Sequence, residues 1–334
     1  MNIGEEAAIE AAGTGISVKG TTVLNVDGGS ITSGSYAIQA NYNNTVNITG
    51  GKIQTTSTYA PAIQIGTDSN ATISGGTITG KKVLAGDKED ITVTGGTFKD
   101  GETKVDVNTY FPEGAILTQD PTGAVTPKAP GDGETVIAEV NSVPYNSIKN
   151  AINAAQDGDT VVLKATSTKN ESIVISDGRS ITLDMNGFDI GFAKQKNISL
   201  YHGKLNITGK GMLYEESPWF GPVMIYGAEE NVSNYSVVTI GEDVTLRGWS
   251  GLFIDQHNAH GAQAYGIEAT VYGTLESVKD TSGAGGHALY INGTIKETTG
   301  NVPKITLNGA TLTTELGNGM YLAGYADTTI VDST

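Results

Sequence analysis

The tetrad Gly-Gly-Xaa-Ile/Phe occurs four times within the first hundred residues. Its second glycines are Gly29, Gly51, Gly76 and Gly96, so the steps between tetrads are 22, 25 and 20 residues. Each tetrad stands between short runs in which polar and β-branched residues alternate, a pattern that favours half-buried strands. Glycine tolerates the positive φ of a tight turn, and a repeat of this length is typical of a solenoid.

One repeat, residues 45–66, contains three short strand-like runs at 45–49, 52–54 and 62–65. Three strands per repeat predict one coil of a right-handed parallel β-helix. Its inward Ile, Val, Leu and Phe side chains would form columns between coils stacked about 4.8 Å apart. The alternative is an antiparallel β-sandwich, which also has short strands but does not need one tetrad at equivalent positions. We therefore predict an all-β, right-handed parallel β-helix.

The repeat stops near Tyr110, and the chain is predicted to have three parts. Residues 1–110 form the C-terminal part of a first β-helix, residues 111–134 form a Pro/Gly-rich linker, and residues 135–334 form a second β-helix. In the second β-helix, Ser147 precedes apolar residues at helical spacing. This spacing predicts a short helix near 147–156 that caps the open end of the second stack.

The run from Tyr145 to Val161, continued by 180–187, resembles the opening of pectate-lyase-like β-helix domains in large, repetitive surface proteins of Gram-positive gut anaerobes. The resemblance implies a fold and no particular chemistry. It also implies an adhesin-like protein that is secreted or attached to the cell wall. Because the first ten residues lack the pattern of a signal peptide, we expect the chain to be a fragment of a longer polypeptide.

The composition weighs against several classes of partner. The net charge is −16, and the chain has two arginines, Arg179 and Arg247. Binding to nucleic acid or to an anionic membrane requires clustered basic residues, so we expect neither partner. No stretch is apolar enough to insert into a membrane, and without cysteine there is no disulfide framework. We expect a monomer without a cofactor.

The repeat lengthens in the second β-helix, where Gly187, Gly209, Gly241, Gly273 and Gly309 are 22, 32, 32 and 36 residues apart. The additional residues must form loops outside the stack, and loops often carry function. A short motif-like segment recurs once per coil, at 251–254, 287–290 and 319–322. We expect them to occupy one equivalent strand, so that their outward residues share a face.

Aromatic and histidine side chains concentrate in these insertions and suggest a docking surface for a glycan or a protein, because rigid rings anchor interfaces at low entropic cost. The alternative is an aromatic ladder that only stabilises the coil ends. The candidate binding residues are Trp219, Phe220, Trp249, Asp255, His257, His260, Tyr265, His287 and Tyr290.

The predicted function is a cell-surface binding module that recognises a host glycan or a host protein such as mucin or immunoglobulin. One alternative is a stalk without binding function. Another is a glycan-active enzyme, in which Asp255 would need a second carboxylate from Glu215, Glu216 or Asp280. Nothing in the sequence brings such a pair together, so we predict no enzyme. His257 and His260 lack a third ligand, and we predict no metal site.

Overall fold

The computed structural model describes residues 1–128, 133–168, 170–215, 217–229, 232–255, 264–279, 283, 285–294 and 300–334. The chain is all-β, with parallel strands stacked as in a β-solenoid, and it divides into two units, Met1–Glu134 and Thr135–Thr334. No helix in these described ranges is long and apolar enough to cross a membrane.

The first unit stacks three sheets, and each coil contributes one strand to each sheet in turn. Sheet 1 contains Asn2–Ile3, Val23–Val26, Thr45–Ile48, Asn70–Ile73 and Ile91–Val93. Sheet 2 contains Ala8–Ala11, Ser30–Ser33, Lys52–Thr55, Thr77–Thr79 and Thr97–Asp100, followed by the antiparallel strand Thr103–Lys104. Sheet 3 contains Ile16–Lys19, Ile38–Asn41, Ile63–Ile65 and Leu84–Ala85.

The Gly-Gly tetrads form the turns between sheets 1 and 2, and the stacking explains both glycines. The second glycine needs a left-handed backbone, with φ of 85° at Gly51 and 82° at Gly76. The first glycine lies against the coil below. A Cβ atom on Gly75 would stand 2.1 Å from the carbonyl oxygen of Thr49. No side chain fits at that separation, so glycine is required wherever the turns stack.

Residues 111–134 belong to the first unit and contain an antiparallel hairpin, Leu117–Gln119 and Val125–Pro127, preceded by a 3-10 helix at Asn108–Tyr110. Backbone hydrogen bonds join the hairpin to the last coil, from Val125 N–H to the Gly96 carbonyl (2.8 Å) and from Phe98 N–H to the Gly123 carbonyl (3.0 Å). The hairpin therefore covers part of an otherwise unpaired sheet edge. Pro121 and Gly123 lie in the turn of the hairpin and Pro127 ends its second strand, so residues of types that suggest a linker serve here in a hairpin.

The second unit repeats the three-sheet arrangement. Sheet 4 contains Thr160–Leu163, Ser180–Asp184, Gly203–Thr208, Ser236–Ile240, Ile267–Val271, Lys304–Asn308 and Asp327–Val331, with the antiparallel pair Ala138–Val140 and Val143–Tyr145 at its first edge. Sheet 5 contains Ile190–Gly191, Gly211–Glu215, Val244–Gly248, Thr274–Ser277 and Thr311–Thr314. Sheet 6 contains Ile173–Ile175, Ile198–Leu200, Val223–Tyr226, Ser250–Asp255, Gly286–Asn292 and Gly317–Ala323.

One α-helix, Ile148–Ala154, packs at the start of the second unit. The Ser147 hydroxyl accepts a hydrogen bond from Asn150 N–H at 3.1 Å, which is the cap that the sequence suggests, and Ile148, Ala151 and Ile152 are buried. Arg179 donates to the carbonyls of Ile152 (3.1 Å) and Ala155 at the other end. A cation at a helix C-terminus is favourable, so Arg179 fixes the helix to the stack.

We predict that Gly51→Ala destabilises the first unit by about 2–3 kcal/mol. The alanine would have to keep a left-handed backbone conformation, and its Cβ atom would also lie 2.5 Å from the Gly28 carbonyl oxygen. Gly20→Ala is the matched control. Gly20 has φ of 63° with no atom within 4 Å, so only the backbone cost of about 1 kcal/mol applies. Urea unfolding followed by circular dichroism measures both, and equal losses would contradict the stacking explanation.

Candidate functional site

The outward face of sheet 6 carries a column of large side chains. Met224 pairs in register with Phe253, Phe253 with Tyr290, and Tyr290 with Tyr321. The three recurrent segments thus occupy one equivalent strand, as their recurrence predicts. The register aligns 251–254 with 288–291 and 319–322, so the middle segment is displaced by one residue from the predicted match.

The rings of this column stack on one another and so cover each other's faces. The centroids of Phe253 and Tyr290 are 4.3 Å apart with planes inclined by 17°, and those of Tyr290 and Tyr321 are 5.0 Å apart at 15°. Tyr290 therefore has a ring against each face. Pairs of this kind contribute about 0.5–1.5 kcal/mol beyond burial. The interior rings stabilise the stack, and a ligand could reach only their edges.

A polar column runs beside the rings on the same face. Tyr226 pairs with Asp255, and the Asp255 carboxylate accepts a hydrogen bond from the Asn292 side-chain amide at 2.8 Å. Burial, and then the negative charge of Asp255, raise the pKa of the Tyr290 phenol. Tyr290 is therefore neutral at physiological pH and can donate a hydrogen bond.

Trp249 and His287 lie next to the column and are packed against it. Trp249 is 4% exposed, and its ring meets the His287 imidazole edge to face at 5.4 Å. The imidazole also stacks on Tyr321 at 4.9 Å. Burial lowers the pKa of His287, and its buried Nδ1 atom has no hydrogen-bond partner in the described part of the chain. Trp249 therefore supports the surface from beneath, and His287 is half-buried beside the ring column.

Trp219 has the opposite exposure. It is 66% exposed, and its ring contacts Trp249 at 4.6 Å with a 42° tilt. Phe220 is half-buried and packs against the cluster of Met224, Trp249 and Phe253. Among the predicted aromatic candidates that the structure describes, Trp219 alone is an exposed ring.

The backbone explains how Trp219 is held outward. Residues 217–220 form a tight turn in which Phe220 N–H donates to the Ser217 carbonyl at 3.2 Å. Pro218 occupies the second position and Trp219 the third, with φ of 67°. Pro followed by a positive φ is the pattern of a type II turn, in which the third position normally holds Gly or Asn. A bulky residue there costs about 1–2 kcal/mol, and strain of this kind clusters at functional sites.

The structure does not place the remaining predicted residues together on the surface that carries Trp219. Tyr265 is buried, and its backbone bridges to Ala228. Glu215, one of the carboxylates considered as a partner for Asp255, is 1% exposed and engaged in hydrogen bonds below the surface. His257, His260, Glu216 and Asp280 lie outside the described residues. Within the described ranges, no group of three or more His, Asp or Glu is arranged to hold a metal ion.

We predict that Trp219→Gly changes the free energy of unfolding of the second unit by less than about 1 kcal/mol, because relief of the left-handed strain offsets the lost contact with Trp249. Trp249→Ala, which empties a buried position, should cost about 3–5 kcal/mol. Chemical denaturation of both variants measures the difference. A loss in Trp219→Gly as large as that in Trp249→Ala would show that Trp219 belongs to the core.

No protein-family model, no curated protein and no solved structure matches the chain.

Proposed function

We propose that the second unit is a non-enzymatic binding module and that Trp219 is its principal contact with a glycan. One observation carries the proposal: an exposed tryptophan occupies a turn position that favours glycine and contacts the cluster of Met224, Trp249 and Phe253 through Trp249, whereas Tyr42, exposed at a similar φ in the first unit, contacts no other ring among the described residues. The contact of the ring with Trp249 and the cost of the left-handed backbone offset each other, so the ring adds little net stability to the fold. We infer that the side chain is there to contact a ligand.

The chemistry of the surface supports a sugar ligand. The exposed indole offers an apolar face for the C–H groups of a pyranose ring, and a rigid aromatic ring loses little entropy when it is covered. Hydroxyl groups of the sugar would meet polar groups next to the ring. Tryptophan is also one of the residue types that most often contribute the largest share of the binding energy at protein interfaces. A glycan carried on a host glycoprotein, such as mucin or immunoglobulin, would use the same contact.

The wider setting is part of the proposal. We infer that the coils are right-handed, because parallel strands joined by a crossover are right-handed in about 98% of cases. The resemblance of 145–161, continued by 180–187, to pectate-lyase-like β-helix domains of large repetitive surface proteins supports an adhesin-like role on the surface of a Gram-positive gut bacterium. The protein would then act outside the cell, as a secreted or wall-attached molecule and as a monomer.

We predict that wild-type protein is retained on immobilised mucin and that Trp219→Gly lowers its apparent affinity at least about tenfold, because the anchor ring is lost. Retention is measured by surface plasmon resonance, with immunoglobulin on a second channel.

The matched control is Tyr42→Gly in the first unit. Tyr42 has φ of 67° and is 64% exposed, so the substitution also removes an exposed ring from a left-handed position. Its binding should equal that of the wild type. Unchanged binding of Trp219→Gly, or an equal loss in Tyr42→Gly, would contradict the proposed site.

A further inference from the structure

A buried carboxylate lies directly beneath the Trp219 turn. Glu215 ends the sheet 5 strand Gly211–Glu215 and is 1% exposed. It accepts a hydrogen bond from Ser217 N–H at 3.1 Å and another from the Ser217 hydroxyl. Ser217 is the first residue of the turn that presents Trp219. The carboxylate therefore fixes the turn at its origin.

The same carboxylate also holds a second turn, from the preceding coil. Gln195 N–H donates to the Glu215 carboxylate at 2.9 Å and to the Ser217 hydroxyl at 3.1 Å. Gln195 is a further non-glycine residue with a left-handed backbone, at φ of 61°. Two turns on adjacent coils, each with one residue in the left-handed region, thus meet at one buried group. An isolated buried carboxylate is costly, and these charge-assisted donors are what stabilise it.

The side chain of Gln195 is free to contact a ligand. It is exposed, and its amide forms no hydrogen bond with any residue in the described ranges. An amide offers a donor and an acceptor together, which suits a sugar hydroxyl or an acetamido group. The exposed indole of Trp219 lies on the neighbouring turn and supplies the apolar contact.

We propose that Trp219 and Gln195 form a single glycan subsite and that Glu215 is its positioning residue. This inference rests on the proposed function. The subsite takes a sugar that presents an apolar ring face beside a hydroxyl or acetamido group. Gln195 determines specificity through its amide, and Glu215 acts through the two turns without touching the ligand.

The test measures mucin binding of three variants by surface plasmon resonance. Gln195→Gly relieves the left-handed strain and removes the amide, so it should stay as stable as wild type and bind about five- to tenfold more weakly. Glu215→Ala releases both turns and should bind at least about tenfold more weakly. Glu215→Gln keeps one acceptor oxygen and should fall between Glu215→Ala and the wild type.

A double-mutant cycle separates positioning from general loss of structure. In the Trp219→Gly background, Glu215→Ala should weaken residual mucin binding less than it does in the wild type, because the part of its effect that passes through the Trp219 turn is already lost and only the part through the Gln195 turn remains. An equal loss in both backgrounds would overturn the positioning role. Wild-type affinity in Gln195→Gly would overturn the role of the amide.

Tryptophan emission gives a readout that needs no ligand, because the chain has two tryptophans and Trp249 is buried. In Glu215→Ala, acrylamide quenching should rise and the emission maximum should move to longer wavelength as Trp219 leaves Trp249. Unchanged emission would overturn the positioning role of Glu215. If wild-type protein is not retained on mucin, the proposed function and the role of Gln195 both fail, whereas the role of Glu215 is still decided by the emission.

Discussion

In each unit, hydrogen bonding between parallel strands joins every coil to the next. It places equivalent residues of adjacent coils about 4.8 Å apart, in fixed register. Inward positions must then be apolar in every coil, as in the buried column of Ile31, Ile53, Ile78 and Phe98. Turn positions must leave room for the coil below, which only glycine does at Gly50 and Gly75. One interaction therefore sets both the core and the turns.

The same register limits where a binding site can form. Outward aromatic residues in one column stack face to face, so Tyr290 has both faces covered by its neighbours. A ligand could reach a ring inside the column only at its edge, so a ring that offers a whole face is more readily placed outside the column. The 217–220 turn achieves this for Trp219, and the buried Glu215 holds the base of that turn. Trp249, packed against Met224 and Phe253 of the column, supports the Trp219 ring from beneath, and the turn exposes that ring.

Sequence patterns predict the parts of this molecule that repeat. The tetrads identify the parallel coils, and Ser147 with the following apolar spacing identifies the capping helix, because both depend on local chemistry. The hairpin within 111–134 is obscured by its prolines. The different exposures of Trp219 and Trp249 are also absent from the pattern, since exposure depends on loops from neighbouring coils. A local signal for the exposed ring does exist: Pro218 followed by the bulky Trp219 indicates a turn with a bulky residue at its third position. A search for clusters of aromatic residues overlooks it.

Hydroxyl-radical footprinting read by mass spectrometry tests whether Trp219 is an exposed ligand contact and Trp249 its buried support. In the free protein, Trp219 should be oxidised rapidly and Trp249 slowly, in keeping with their exposures of 66% and 4%. With mucin bound, oxidation of Trp219 should fall while that of the exposed Tyr59 in the first unit stays unchanged. Rapid oxidation of Trp219 in the mucin-bound protein would show that this ring does not contact the ligand.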